Sequence, residues 1–290
     1  MICHAFGVRA PKIFLPLPKT QYMTTELKIS ILSDKLSSNG CEAEHGLSFL
    51  VEADGRVLFD TGASDLFLRN AARMGIDIEN VDTVVLSHGH YDHGNGLQWV
   101  SGKRIVMHPE AFAQRISGRS GRNISMAVSR QTLEAQNIIV ATREPFRLTD
   151  KMTYLGEIER TVPFEAECST PFHFADGTPD PVADDSGLAV ATARGLFVVS
   201  GCAHAGICNI VEQARRVTGI DKVFGVIGGF HLTAIDNRLA QTIDYLKNVG
   251  AEVVMPSHCT GDEAIAEFRR HFRGELVRTG EVFTIEGLKD

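Results

Sequence analysis

The sequence predicts an α/β protein made of two sheets with helices packed outside them. Three observations carry that expectation. Short β-branched runs recur along the chain, several are followed by stretches of helical period, and the apolar residues of those stretches share one face. At 290 residues, 43% of them hydrophobic and 22% charged, the chain can bury a sizeable core as one large domain or two small ones.

The first 22 residues stand apart. They carry Arg9, Lys12 and Lys19, no acid, and prolines at 11, 16 and 18 that forbid a continuous helix. Residues 1–25 are therefore expected to be a poorly ordered extension, with the folded domain over 26–290; alternatively residues 1–22 lie upstream of a start at Met23. Lys28–Ser33, Leu47–Glu52 and Arg56–Asp60 read as neighbouring strands, the last two joined by a tight Asp54-Gly55 turn. Ala63–Met74 reads as a helix closed by Gly75, with Leu66, Phe67 and Met74 inward. Strands follow at Val81–Leu86 and Arg104–Met107. The middle, 109–180, is the least regular stretch, and its aperiodic glycine-containing residues 116–124 suggest a mobile loop or part of an inserted lid.

Order returns with strands Gly187–Ala191 and Gly195–Ser200 around an Ala193-Arg194 turn. Ile207, Ile210, Val211, Ala214 and Val217 then fall at helical spacing. Strand Lys222–Ile227, a helix carrying Ile235, Leu239, Ile243 and Leu246, strand Ala251–Met255 and a last helix with Ile265, Phe268 and Phe272 complete the chain. No repeat of roughly 20–50 residues is apparent beyond this two-fold echo of strands followed by helices.

The densest chemistry lies at 87–94, Ser-His-Gly-His-Tyr-Asp-His-Gly, on the turn that ends strand Val81–Leu86. His88, His90, Asp92 and His93 place three imidazoles and a carboxylate within six positions. These are borderline-to-hard ligands suited to Zn²⁺, Fe or Mn²⁺. Without an ion, so many polar groups on one turn would lack partners. His88 and His90 can share a face while Asp92 and His93 turn past them, which suits two adjacent ions better than one.

These residues match in full the His-x-His-x-Asp-His motif of the metallo-β-lactamase superfamily, which the chain resembles from about Leu27 to Glu286. Within it the chain looks most like the dihydropterin-synthase-like branch. That resemblance rests on Glu44-His-Gly-Leu-Ser48, Leu58-Phe-Asp-Thr-Gly62, Gly201-Cys-Ala-His-Ala-Gly206, Gly228-Gly-Phe-His-Leu232 and Ser257-His-Cys-Thr-Gly261. It implies a four-layer αββα sandwich, here with an irregular insertion in mid-chain, and a site at the sheet edges.

Four ligands on one turn cannot saturate two ions. His204, His231 and His258 each follow an apolar strand, and His204 and His258 are the leading candidates to complete the shell; His231 is a ligand or a substrate contact. The chain departs from the superfamily pattern at two points. Cys202 stands where a bridging aspartate is usual, and Ala183, Asp184 and Asp185 occupy the place of an expected histidine. Either Asp185 supplies oxygen while His204 supplies nitrogen, with Cys202 a further candidate ligand, or Cys202 packs as a small hydrophobe. Asp60 is expected to accept the other ring N–H of a ligating histidine. His45 is a substrate contact or an ordinary loop residue, while His4, His108, His173 and His271 read as structural or solvated.

Two divalent ions, zinc first with iron or manganese as alternatives, would lower the pKa of a shared water from 15.7 towards roughly 7. Asp92 is then expected to ligate one metal and orient the hydroxide. This chemistry suits hydrolysis of an ester, lactone, amide or phosphodiester. The branch resemblance implies an alternative: condensation of a pterin diphosphate with a ribofuranosyl-aminobenzene phosphate. Arg115, Arg119, Arg122 and Arg130 would then clamp phosphates, or simply form a solvated basic loop. A non-catalytic metal-binding sensor is the third reading.

The remaining expectations concern partners and compartment. The net charge of −7, from 29 basic and 36 acidic residues, argues against a nucleic-acid partner held by a basic field. No apolar run approaches the roughly 18 residues of a membrane helix. Six cysteines without a C-x-x-C pair point to reduced thiols and a cytoplasmic protein acting on a small molecule, phosphorylated or not. The sequence leaves the oligomeric state open.

Overall fold

The computed structural model describes residues 26–166 and 171–285; the extension expected at 1–25, with His4, lies outside them. In chain order the elements are β1 (Lys28–Ser33), β2 (Ser48–Glu52), β3 (Arg56–Phe59), α1 (Leu66–Arg73), β4 (Thr83–Val85), α2 (Tyr91–Gly94), β5 (Arg104–Met107) and β6 (Arg115–Ser117). They continue with α3 (Arg130–Glu134), β7 (Ile138–Ala141), β8 (Phe146–Arg147), β9 (Met152–Tyr154), β10 (Phe172–Phe174), β11 (Gly187–Thr192) and β12 (Gly195–Ser200). The last are α4 (Ile207–Thr218), β13 (Val223–Gly229), α5 (Asn237–Asn248), β14 (Val253–Ser257), α6 (Asp262–His271) and β15 (Val282–Thr284).

One sheet has the order β15-β1-β2-β3-β4-β5-β7 and the other β14-β13-β12-β11-β9-β8, with β6 and β10 paired separately. The apolar alternation explains the layering. One face of each sheet buries Ile29, Phe49, Phe59, Leu188, Phe197 and Phe224 in a shared core between the sheets. The outer face of the first sheet packs Leu50, Leu58 and Val84 under Phe67 and Ala71 of α1. The outer face of the second packs Val198, Val226 and Val254 under α4, α5 and α6. The result is the four-layer αββα sandwich. Burial of each large apolar side chain contributes about 1.5–3 kcal/mol, so these three clusters dominate the fold's stability.

The three C-terminal helices show why their sequences stop and start where they do. Gly219, at φ 69°, closes α4 in the left-handed conformation that glycine takes without penalty. Asp236 caps α5 by accepting from Leu239 N at 2.9 Å. Helix α6 has Asp262 and Glu263 in its first turn and Arg269, Arg270 and His271 in its last, matching its dipole.

The outline differs from the sequence reading in two respects. Ile235, expected inward on a helix, precedes α5 and is exposed, because the chain reaches helical geometry only after the Asp236 cap. The stretch 109–180 supplies one margin of each main sheet: β7 is an edge strand paired in parallel with β5, and β9 pairs antiparallel to β11 with β8 at the edge beyond it. Among the described residues no helix is long and apolar enough to cross a membrane.

Candidate metal centre

Strand β4 ends at Val85, and the chain then runs through Ser87-His88-Gly89-His90 into the single turn of α2. Asp60, just past β3, braces this turn: its carboxylate accepts from Ser87 N, from Ser87 Oγ and from His93 Nδ1, each at 2.7 Å. An ionised carboxylate can only accept, so the His93 proton sits on Nδ1 and Nε2 is left free to bind. Gly89 is held by Asp184 Oδ2, which accepts its N–H at 2.7 Å, and a Cβ there would overlap the Ala111 carbonyl.

The other donors arrive on the exits of β12, β13 and β14. These strands are parallel neighbours in register, Ser200 against Gly228 and Gly229 against Ser257, so their C-terminal loops stand side by side. Each exit bends through a left-handed non-glycine residue: Ala203 at φ 55°, His231 at φ 51° and His258 at φ 51°, with Asp60 at φ 56° doing the same after β3. Such conformations cost about 1–3 kcal/mol each and cluster where function demands a fixed geometry.

The side chains meet in overlapping groups. His88, His90 and His204 bring one ligand atom each within 4.8 Å of one another, as do His88, His93 and Cys202, then His45, Asp92 and His258, and finally Cys202, His231 and Cys259. Individual approaches are close: His88 Nε2 to His90 Nδ1 2.9 Å, His93 Nε2 to His258 Nε2 3.1 Å, and Cys202 Sγ to His93 Nε2 3.2 Å. Asp92 Oδ2 lies 3.2 Å from His45 Nε2 and 3.4 Å from His258 Nε2. Phe172 covers one side, its ring edge-on to His90 at 5.0 Å and to His204 at 5.3 Å.

The donor set fits divalent cations on an observation independent of the motif. His88 Nε2 faces His90 Nδ1 and His93 Nε2 faces His258 Nε2, nitrogen to nitrogen, while the Nε2 of His204 and the Nδ1 of His231 are buried without any hydrogen-bond partner. Buried polar groups are normally paired, and an unpaired one costs about 1–3 kcal/mol.

Part of this chain, residues 42–111, matches the family model described as the metallo-beta-lactamase superfamily. The 7,8-dihydropterin-6-methyl-4-(beta-D-ribofuranosyl)-aminobenzene-5'-phosphate synthase of Methanocaldococcus jannaschii is 33% identical over 257 residues, which cover 81% of this chain and 87% of that protein. The chain belongs to the metallo-β-lactamase superfamily. Within it the chain falls in the dihydropterin-synthase-like branch. A second protein of the same organism, the uncharacterized MJ0448, is 33% identical over 247 residues, 82% of this chain and 93% of its own. The crystal structure of Tm1679, described as a metal-dependent hydrolase of the beta-lactamase superfamily, has a TM-score of 0.79 and 34% identity, covering 89% of this chain and 98% of that one.

Electrostatics suit a metallo-β-lactamase centre. Burial, reinforced by the neighbouring imidazoles, drives His88 and His204 well below the ordinary histidine range, and burial pulls His90 down to about 3. All three are therefore neutral at neutral pH, the form in which an imidazole can bind a cation. Burial works against the Asp92 charge, but His93, His258 and His45 outweigh it and hold the carboxyl well below its usual range. Burial likewise opposes the His258 imidazolium, yet Asp92, Cys259 and Asp34 lift it to about 9.

Several sequence expectations need separate treatment. Asp185 does not join any of the four groups: Oδ2 accepts from Ala205 N at 2.8 Å, Oδ1 is buried without a partner, and burial raises its carboxyl to about 8. It lines a neighbouring cleft of about 810 Å³ together with Arg143, Glu157, Arg160 and Gln213. The proposed arginine cluster does not hold together. Arg115 is fully buried and bound to Asp180 at 2.7 Å and Asp184 at 2.6 Å, because β6 turns it inward, so it neither clamps a phosphate nor lies in a solvated loop. Arg119 and Arg122 are exposed, and Arg130 pairs with Glu134. His108 caps a turn by accepting from Glu110 N, and His271 pairs with Glu267.

Three participants escaped the sequence reading. Cys259 follows His258 directly, which was the available signal. Phe172 and Asp34, whose Oδ1 accepts from His258 N at 3.3 Å, had none.

Proposed function

We propose that the protein is a metal-dependent hydrolase whose centre holds two divalent cations, zinc foremost. The observation that carries this reading is the crowding of ring nitrogens that face one another, His88 Nε2 to His90 Nδ1 at 2.9 Å and His93 Nε2 to His258 Nε2 at 3.1 Å, beside an ionised Asp92 and a buried, partnerless His204 Nε2. One cation would be held by His88, His90 and His204, the other by Asp92, His93 and His258, whose ligand atoms lie 3.1–3.9 Å apart, with Cys202 between the two sets. Bound there, the pair supplies Lewis acidity and a water that ionises near neutral pH.

The chain's own groups do the rest. Asp60 holds the His93 proton on Nδ1 and keeps the ring oriented. Asp92 accepts a hydrogen bond from the attacking water and aims it, while His45, exposed and stacked 5.1 Å from His258, donates to Asp92 and faces an incoming substrate. Phe172, from the middle stretch, excludes water over His90 and His204, which supports reading 109–180 as the covering part of a domain spanning 26–290. Substrates would be small esters, lactones or phosphodiesters. The description of Tm1679 as a metal-dependent hydrolase supports this choice.

The second reading is a transferase that joins a pterin diphosphate to a ribofuranosyl-aminobenzene phosphate, favoured by the name of the 33% identical relative from Methanocaldococcus jannaschii. One experiment separates the readings. Metal-counted protein is offered bis(p-nitrophenyl) phosphate and p-nitrophenyl esters, and separately the pterin diphosphate with its aminobenzene partner. Metal-dependent hydrolysis lost in Asp92→Asn is the expected result. Pyrophosphate release with a new pterin conjugate selects the transferase, and full metal content with no turnover of either kind selects a sensor.

A further inference from the structure

We propose that Cys202, His231 and Cys259 form an additional binding site for a thiophilic cation, of the zinc or iron(II) kind, beside the histidine–carboxylate centre. The inference stands on these three residues and goes beyond the assignment of the two ions above, with which it shares only the Cys202 sulfur.

The three side chains come from the adjacent exits of β12, β13 and β14, and their ligand atoms lie within 4.8 Å of one another. Thiolates bound at 2.3 Å to a tetrahedral ion stand about 3.8 Å apart, so each sulfur needs to move by roughly half an ångström at most. Cys259 Sγ already approaches the Cys202 carbonyl at 3.6 Å. His231 Nδ1 is buried with no hydrogen-bond partner. The backbone leaves room for the sulfurs. A Cβ at Gly229 would stand 2.6 Å from Cys259 Sγ and 3.2 Å from the Cys202 Cα, so any larger residue would displace the pair.

The donor types decide the ligand class. Two sulfurs and an imidazole favour zinc, iron(II) or copper(I), whereas magnesium, calcium and manganese prefer oxygen. A free cysteine that serves only to pack is usually fully buried among apolar side chains. Cys259 is half-buried and lies against a second thiol and an imidazole. Three protein donors leave a fourth tetrahedral position for water or for a group of a bound molecule.

The test uses the full chain, reduced, stripped of metal and titrated with cobalt(II), with zinc counted separately by mass spectrometry after desalting. The expected result is a near-ultraviolet sulfur-to-cobalt absorption band. Cys259→Ser and His231→Ala each weaken that band and remove one zinc equivalent. In a His90→Ala/His204→Ala double variant zinc is lost from the histidine centre while the band persists, so failure of the two-ion reading registers separately. A band absent from the wild-type protein, or a band and zinc count unchanged in both Cys259→Ser and His231→Ala, overturns the proposal. Melting curves establish that each variant is folded, and Cys259→Ala replaces the serine variant if the latter does not fold.

Discussion

Two sets of buried polar groups lie within a few residues of each other at the strand ends, and they are satisfied very differently. Around Asp60 and Arg115 the hydrogen bonds are short and made within the protein: Asp60 to Ser87 and His93, Arg115 to Asp180 and Asp184, Asp184 to Gly89. On the histidine face, four buried ring nitrogens of His90, His204, His231 and His258 have no partner. At about 1–3 kcal/mol each, that deficit is comparable to the whole stability of a typical domain, about 5–15 kcal/mol. The first set fixes geometry and, Arg115 Nη1 apart, is paired within the protein. The second set, on the function proposed above, is completed by a bound cation.

The sharpest way to break this comparison is Asp92→Asn, which should leave the fold intact and lower metal-dependent hydrolysis by about 10²–10⁴-fold; steady-state turnover at unchanged melting temperature checks it. Arg115→Met attacks the other set. It strands two buried carboxylates and should destabilise the protein by about 3–5 kcal/mol in chemical denaturation, against no change if the ion pairs were dispensable.

Asp60→Asn should lie between the two kinds, weakening zinc about 10–100-fold in a competition titration because His93 loses its orienting acceptor. Asp185→Asn tests a group outside the clusters. With its folded pKa raised from 3.8 to about 8, the wild-type carboxyl favours the folded state less as pH rises between those values. The variant should therefore match wild type below pH 3.8, gain on it as pH climbs to about 8, and hold a constant lead above. Smallest, Asp236→Ala should cost about 1 kcal/mol through its lost cap on α5 and leave zinc binding untouched.

Much of this was legible in the sequence because the informative signals are local. Strand β1 mixes apolar residues with Lys28, Ser30 and Ser33, β12 and β14 are largely apolar runs, and the four candidate ligands of 88–93 sit within one turn. What was not legible depends on distance. Arg115 meets Asp180 and Asp184 across 65 and 69 residues, and nothing near any of them announces an internal ion pair. Strands β8, β9 and β15, of two to three residues, are too short to show a period. Cys259 was visible but overshadowed by His258; only the parallel register of β13 and β14 reveals that it returns towards Cys202.

The left-handed bends at Asp60, Ala203, His231 and His258 have a consequence for capture of an ion. Because these corners are set when the chain folds, the rings and sulfurs stand nearly still before anything arrives, and little freedom remains for a cation to freeze out. Loading should then be quick and governed by how fast water is shed, and relaxing a corner with glycine should slow it by letting the donors wander.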